Sequence, residues 1–228
     1  MAKELKDDPI YELRLYTVAP GRIRDLEARV QNDLCTIFPR HGVRPLGGWS
    51  VVAGPATPLY VYLTPFRNMQ ERNENWGGFY ADPAWAECRA RTNAGSELVE
   101  RYEILFLRAI KEWEEAPASD TKSGPAPMVE MVIQSVANGQ TVKVRDEILQ
   151  GTVPALQAAG ATVHGVFDVM SGRPLPCAVF FISWPDMEKR ARALETLDMR
   201  TIEARAAGKI LLERSDQYLM RSVPVAWA

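Results

Sequence analysis

The chain has 228 residues, of which 46% are hydrophobic and 25% charged, and its formal net charge is −2. That length holds one large domain or two of about 110 residues each, and the balance excludes collagen-like and disordered chains. No apolar run approaches the roughly 20 residues of a membrane helix, and both signs of charge are interspersed, which predicts neither a nucleic-acid nor a membrane partner.

The opening residues, Met-Ala-Lys-Glu-Leu-Lys-Asp-Asp-Pro, contain no apolar stretch of the kind a secretory leader needs, so a cytoplasmic protein is expected. Cys35, Cys88 and Cys177 are widely spaced and odd in number. They read as reduced packing residues, not as a disulfide frame or a zinc site.

In chain order, residues 10–18 alternate as a strand. Pro20-Gly21 turns the chain. Residues 22–38 place Ile23, Leu26, Val30, Leu34 and Ile37 on one helical stripe. Residues 44–52 and 59–63 read as strands around a Gly54-Pro55 turn. Residues 69–80 and 85–94 read as short helices, with Asp82 as N-cap and Pro83 at the first helical position. Residues 100–109 close the set as a strand.

The order then repeats. Sliding the chain by 118 positions aligns residues 11–72 with 129–190 without a gap. Twelve identical pairs result, among them Glu12/Glu130, Gly42/Gly160, Pro58/Pro176 and Arg72/Arg190. The match resumes at an offset of 113 near Glu100-Arg101 and Glu213-Arg214 and includes Arg108/Arg221. The second copy has strands near residues 128–136, 161–170, 178–184 and 217–223. Its first helix, 142–159, is expected to kink or restart at Pro154. Residues 114–127, rich in proline and small polar residues, read as a linker between domains at 9–113 and 128–224.

Each copy is thus strand–helix–strand–strand–helix–strand, the ferredoxin-like unit. Its sheet has helices on one face only. Two such units are expected to pack their open faces together, giving an α+β pseudo-dimer of the dimeric α/β-barrel type.

Four segments carry a resemblance to a known family: Ile-Tyr-Glu-Leu-Arg-Leu-Tyr-Thr-Val-Ala-Pro-Gly-Arg (10–22), His-Gly (41–42), Gly-Gly-Trp (47–49) and Asp-Pro-Ala-Trp (82–85). They resemble the NIPSNAP family of the dimeric α/β-barrel superfamily, over about residues 9–110. The second copy departs from the pattern, opening Val-Glu-Met-Val-Ile-Gln (129–134) and lacking Asp-Pro-Ala-Trp. The resemblance implies the fold. The wider superfamily includes cofactor-free monooxygenases, isomerases, cyclases and haem enzymes, so it leaves the reaction open.

Strand periodicity sorts residues by face. Glu12, Arg14 and Tyr16 share one face of the first strand, and Glu130 and Gln134 share the matching face in the second copy. Because a helix-packed face is expected to be apolar, these polar sets are assigned to the opposite face, the lumen. His164 and Asp168 fall on the same presumed face. His164, held by Glu130 or Asp168, is therefore the candidate general base. Glu12 with Arg108, and Glu130 with Arg221, are candidate structural pairs. Arg14, Tyr16, Gln134 and Tyr62, together with Glu12 and Arg108, are candidate substrate contacts. Trp49, Tyr60, Tyr62, Trp76, Phe79, Tyr80 and Trp85 crowd the first copy as core, interface or pocket wall. His41 reads as a loop or cap residue.

No nucleotide loop, zinc spacing or nucleophile elbow is present, so neither a cofactor nor a metal is expected. The leading expectation is a cofactor-independent lyase or isomerase moving a proton on a small apolar or aromatic carbonyl compound. The alternatives are a cofactor-free monooxygenase and a non-catalytic binding or adaptor protein. Exposed sheet edges and the first copy's aromatics predict a homo-oligomer.

Overall fold

The computed structural model describes residues 9–114, 128–206 and 212–227, with the backbone alone for 198–206 and 212–214. Two compact units emerge. One comprises Met1–Val52, Ala56–Arg108 and Ser222–Ala228; the other comprises Ala53–Pro55 and Ala109–Arg221.

The first unit carries strands β1 (Ile10–Val18), β2 (Gly47–Ala53), β3 (Leu59–Phe66) and β4 (Val99–Lys111). β1 is central, antiparallel to β3 on one side and β4 on the other, and β2 lies outside β3. The order β4-β1-β3-β2 is that of the ferredoxin-like unit. Helices α1 (Ile23–Arg29), α2 (Cys35–Arg40), α3 (Met69–Ala81) and α4 (Pro83–Thr92) cover one face. Leu26, Val30, Leu34, Ile37 and Phe38 pack there with Tyr60, Tyr62, Trp76 and Phe79. The expected cap holds: the Asp82 side chain accepts from Ala84 N, with Pro83 opening the helix.

The second unit repeats the plan with β5 (Val129–Val136), β6 (Thr162–Ser171), β7 (Cys177–Ser183) and β8 (Leu212–Ser222). β5 is flanked by β7 and β8, and β6 pairs with β7. Its helices are α5 (Thr141–Glu147), α6 (Val153–Ala158) and α7 (Met187–Ala206). The expected linker falls largely on residues 115–127, which lie outside the described residues.

A feature that periodicity did not predict sits in both first helices. α1 runs into α2 through a π turn at Val30–Leu34, and α5 into α6 through one at Ile148–Thr152. These turns lie 118 residues apart, at equivalent places. α6 restarts beside Pro154, as expected, yet Thr36 holds the matching position in the first unit. The extra residue per turn therefore belongs to the repeat and not to the proline; such turns widen a helix locally and often border functional sites. Gly42 and Gly160 both end their helices at positive φ, 70° and 90°, a conformation that penalises any Cβ.

Among the described residues no helix is long and apolar enough to cross a membrane. Cys35, Cys88 and Cys177 are free thiols and buried.

Candidate active site

A cavity of about 420 Å³ lies inside the first unit, between its helices and its sheet. Arg14 and Tyr16 reach it from β1, and Tyr60 and Tyr62 from β3. Val30 and Leu34 border it from the π turn. Phe38, Trp76, Phe79 and Trp85 supply aromatic walls. The π turn thus borders the cavity, the setting in which such turns are often found.

Arg14 is the charged centre of this wall and is 2% exposed. Its Nε donates to Glu12, and its Nη1 donates to the hydroxyls of Tyr16 at 3.0 Å and Tyr80 at 3.2 Å. The guanidinium lies over the Trp76 ring, 3.8 Å from the centroid. The Tyr16 and Tyr62 hydroxyls share a hydrogen bond of 2.7 Å. Glu12 accepts a second ion pair from Arg72 of α3. A carboxylate held by two guanidiniums is a satisfied buried charge, and it fixes the Arg14 fork.

Electrostatics follow from that packing. Burial alone would lower the Arg14 pKa; Tyr62, Tyr16, Glu12 and Tyr80 outweigh it, and the group is held above its ordinary value. Burial raises the Tyr16 phenol, against the pull of Arg14, and raises the Tyr62 phenol well above the usual range. The cavity therefore presents a permanent cation and neutral phenols, all hydrogen-bond donors. Such a cluster stabilises negative charge growing on an oxygen. The Trp76 indole N–H is buried and has no hydrogen-bond partner among the described residues.

Glu12, Arg14, Tyr16 and Tyr62 are thus brought together as candidate contacts, but not where the strand pattern put them. Their face meets the helices. The physical reason is that both faces of β1 are buried: Leu13 is 0% exposed on one, and Glu12 is 0% exposed on the other. Apolarity alone could not choose between them, and α3 supplies Arg72 and Trp76 to satisfy the polar set. Arg108 is exposed on β4 and does not line the cavity; Arg72 takes the place expected of it. Likewise Glu130 pairs with Arg190 of α7 and accepts from the Trp184 indole at 3.0 Å, in place of the expected Arg221.

The proposed base cluster is not assembled. β6 shifts register between Val163 and Gly165, so His164 leaves the face of Val166 and Asp168. Its Nε2 meets Ser183 Oγ at 3.0 Å and its Nδ1 meets the Glu114 carbonyl at 3.2 Å. The ring stacks on Trp113, and burial lowers its pKa. Asp168 instead faces Arg145, at 3.5 Å. Gln134 donates to the Ser135 carbonyl. His41 bridges to Asp82 at 2.8 Å, tying the α2 end to the α4 cap, and that bond and the Ala84 N–H hold the Asp82 carboxyl low.

Arg29, Arg89 and Trp227 are among the cavity residues that periodicity missed. Trp227 stacks on Phe38, with rings 9° apart and centroids at 5.9 Å. The segment bearing it is held by Val223 N to Gly48 O at 2.8 Å and by Gln31 Nε2 to Pro224 O at 3.0 Å. No repeat match extends to residue 227, so nothing in the sequence pattern ties it to the first unit. The arginine–phenol group occurs once. At the matching places the second unit has Val132, Gln134 and Phe180. Among the described residues no group of three His, Cys, Asp or Glu is placed to hold a metal.

Solved structures with the same fold span nearly the whole chain. A putative monooxygenase from Lactobacillus acidophilus is 12% identical, covers 96% of both chains and superposes with a TM-score of 0.61. A putative monooxygenase from Fusobacterium nucleatum is 8% identical over 96% of this chain and 94% of its own, at 0.60. An anthrone oxidase-like protein is 15% identical over 98% and 97%, at 0.59. At such identities the likeness shows the fold alone, the tandem α+β arrangement of the dimeric α/β-barrel class. No curated protein matches the sequence. The family model described as NIPSNAP matches residues 11–112, the span that carries β1 to β4 and every helix around the cavity, so the first unit of this chain is similar to a NIPSNAP domain.

Proposed function

We propose that the first unit is an enzyme active site of the cofactor-free monooxygenase kind, acting on a flat aromatic compound that bears a carbonyl or enol oxygen. The observation that carries this reading is the Arg14 cluster. A buried guanidinium and neutral phenols converge on one wall of an otherwise aromatic cavity. The names of structural neighbours, two monooxygenases and an anthrone oxidase-like protein, favour oxygen chemistry over the lyase or isomerase alternative.

The step is as follows. The enol O–H of the substrate gives its proton to water, while Arg14, Tyr16 and Tyr80 hold the oxyanion. The carbon conjugated to that oxyanion gives its electrons to O2, and a C–O bond forms. The peroxide takes a proton; the remaining C–H on the same carbon then breaks as the O–O bond cleaves, and water leaves. A methylene carbon and O2 thus become a carbonyl and H2O. Stabilising the oxyanion lowers the barrier because the donors are already oriented.

The test is oxygen uptake with anthrone as probe. One O2 consumed per anthrone, no conversion under nitrogen, and loss of turnover in Arg14→Met support the reading. Conversion at an equal rate under nitrogen supports proton-transfer chemistry instead. Retained turnover in Arg14→Met removes Arg14 from the chemistry.

A further inference from the structure

Arg29 has no part in the oxyanion cluster, yet it lines the same cavity from the α1 side and is 5% exposed. Its hydrogen-bond partners are neutral. Nε donates to Thr92 Oγ1 at 2.8 Å, and Nη2 donates to Asn93 Oδ1. Among the described residues Nη1 meets no hydrogen-bond partner, and no carboxylate lies within ion-pair distance of the guanidinium. The carboxylate on the cavity wall, Glu97, is already engaged by Arg89 at 3.1 Å and by the Asn93 amide. Burial disfavours the Arg29 cation; Cys88 and Glu97 partly offset that from a distance, and Arg22 and Arg89 add positive field. The Trp85 ring lies 5.6 Å from the guanidinium carbon.

A buried guanidinium without a counter-charge is costly unless a ligand supplies one. Arg14 has Glu12 as an ion-pair partner, whereas Arg29 has no carboxylate at that distance among the described residues. We infer that the cavity's ligand is an aromatic acid, whose carboxylate-type anion sets against Arg29 Nη1 while its rings fill the space walled by Phe38, Trp76 and Trp85. This rests on the reading of the cavity as the active site and narrows its substrate class from aromatic carbonyl compounds to anionic ones. The Asn93 carbonyl and Thr92 hydroxyl hold the guanidinium plane, leaving one edge for the ligand.

The experiment compares anthraquinone-2-carboxylate with its carboxamide, an uncharged analogue of the same shape. Binding is read by quenching of tryptophan fluorescence, since Trp76, Trp85 and Trp227 line the cavity. The expected result is at least tenfold tighter binding of the carboxylate by the wild-type chain, a preference that shrinks with added salt. Arg29→Met equalises the two probes, and Arg29→Lys keeps most of the preference. Equal binding of both probes by the wild type overturns the inference and leaves the active-site reading standing. A preference that survives Arg29→Met but vanishes in Arg89→Met also overturns it, since the anion then sits at the mouth. Failure of both probes to bind overturns the active-site reading together with it.

Discussion

Arg72 donates to Glu12, and Arg190, 118 positions further on, donates to Glu130. Each pair ties the second helical segment of its unit to the central strand beneath it. The two carboxylates are 0% and 2% exposed, and a buried carboxylate without a partner is costly, so each depends on its guanidinium. Identity of both members of the pair across the repeat follows from that mutual need. In the first unit the carboxylate also holds Arg14, which joins a structural pair to the candidate chemistry.

Glu12→Gln is expected to destabilise the first unit by about 3–5 kcal/mol, because Arg14 and Arg72 lose their shared counter-charge in a buried place. Chemical denaturation measures it. A loss below about 1 kcal/mol would mean that water reaches the pair and solvates it.

Arg14→Met is expected to lower turnover of the anthrone probe by about a hundredfold to a thousandfold, the range found when one preorganised oxyanion donor is removed. Tyr62→Phe, which removes only the hydroxyl that orients Tyr16, is expected to lose less. Steady-state oxygen uptake separates the two. Equal losses would make Tyr62 as important to the oxyanion as Arg14.

Alkaline pH should weaken the fold. Tyr62, and to a lesser degree Tyr16, have folded values raised by burial above the ordinary value of about 10. An unfolded chain releases these protons first, so their stabilising share is complete below about pH 10 and declines as pH rises above it. Tyrosinate absorbance should show two phenols that titrate only with unfolding. Ordinary titration of every tyrosine in the folded chain would contradict their burial.

His164 acts in the opposite direction. Burial lowers its folded value, against the Glu114 carbonyl. The unfolded chain takes up the proton first, so stability should fall as pH drops below about 6.5. Denaturation midpoints at pH 5 and pH 7.5 should differ less in His164→Gln than in the wild type. An unchanged difference would assign the acid sensitivity to other groups.

Trp227→Ala is expected to weaken binding of the aromatic probe by about tenfold, since it strips the ring stacked on Phe38 from the cavity wall. Its effect on the denaturation midpoint should be small, because the ring is only partly buried. Fluorescence titration checks the first point and a thermal melt the second.

The repeat, the strand and helix order, and the Asp82-Pro83 cap are local properties. Glycine spacing, alternation and capping chemistry act within a few residues, so the linear order suffices to reveal them. Glu12, Arg14, Tyr16 and Tyr62 were legible as a polar set on adjacent strands for the same reason. Which side of the sheet they served was not legible, because both faces are buried and only the helix partners, Arg72 and Trp76, decide it. The register shift at His164 was likewise invisible, since one inserted residue reverses face assignment without leaving a mark in composition. Arg29 and Trp227 join the cavity only through contacts with distant segments, Asn93 and Phe38. Local pattern therefore determined the units and their elements, whereas tertiary packing alone decided where space remained between helix and sheet, and which charges were left facing it.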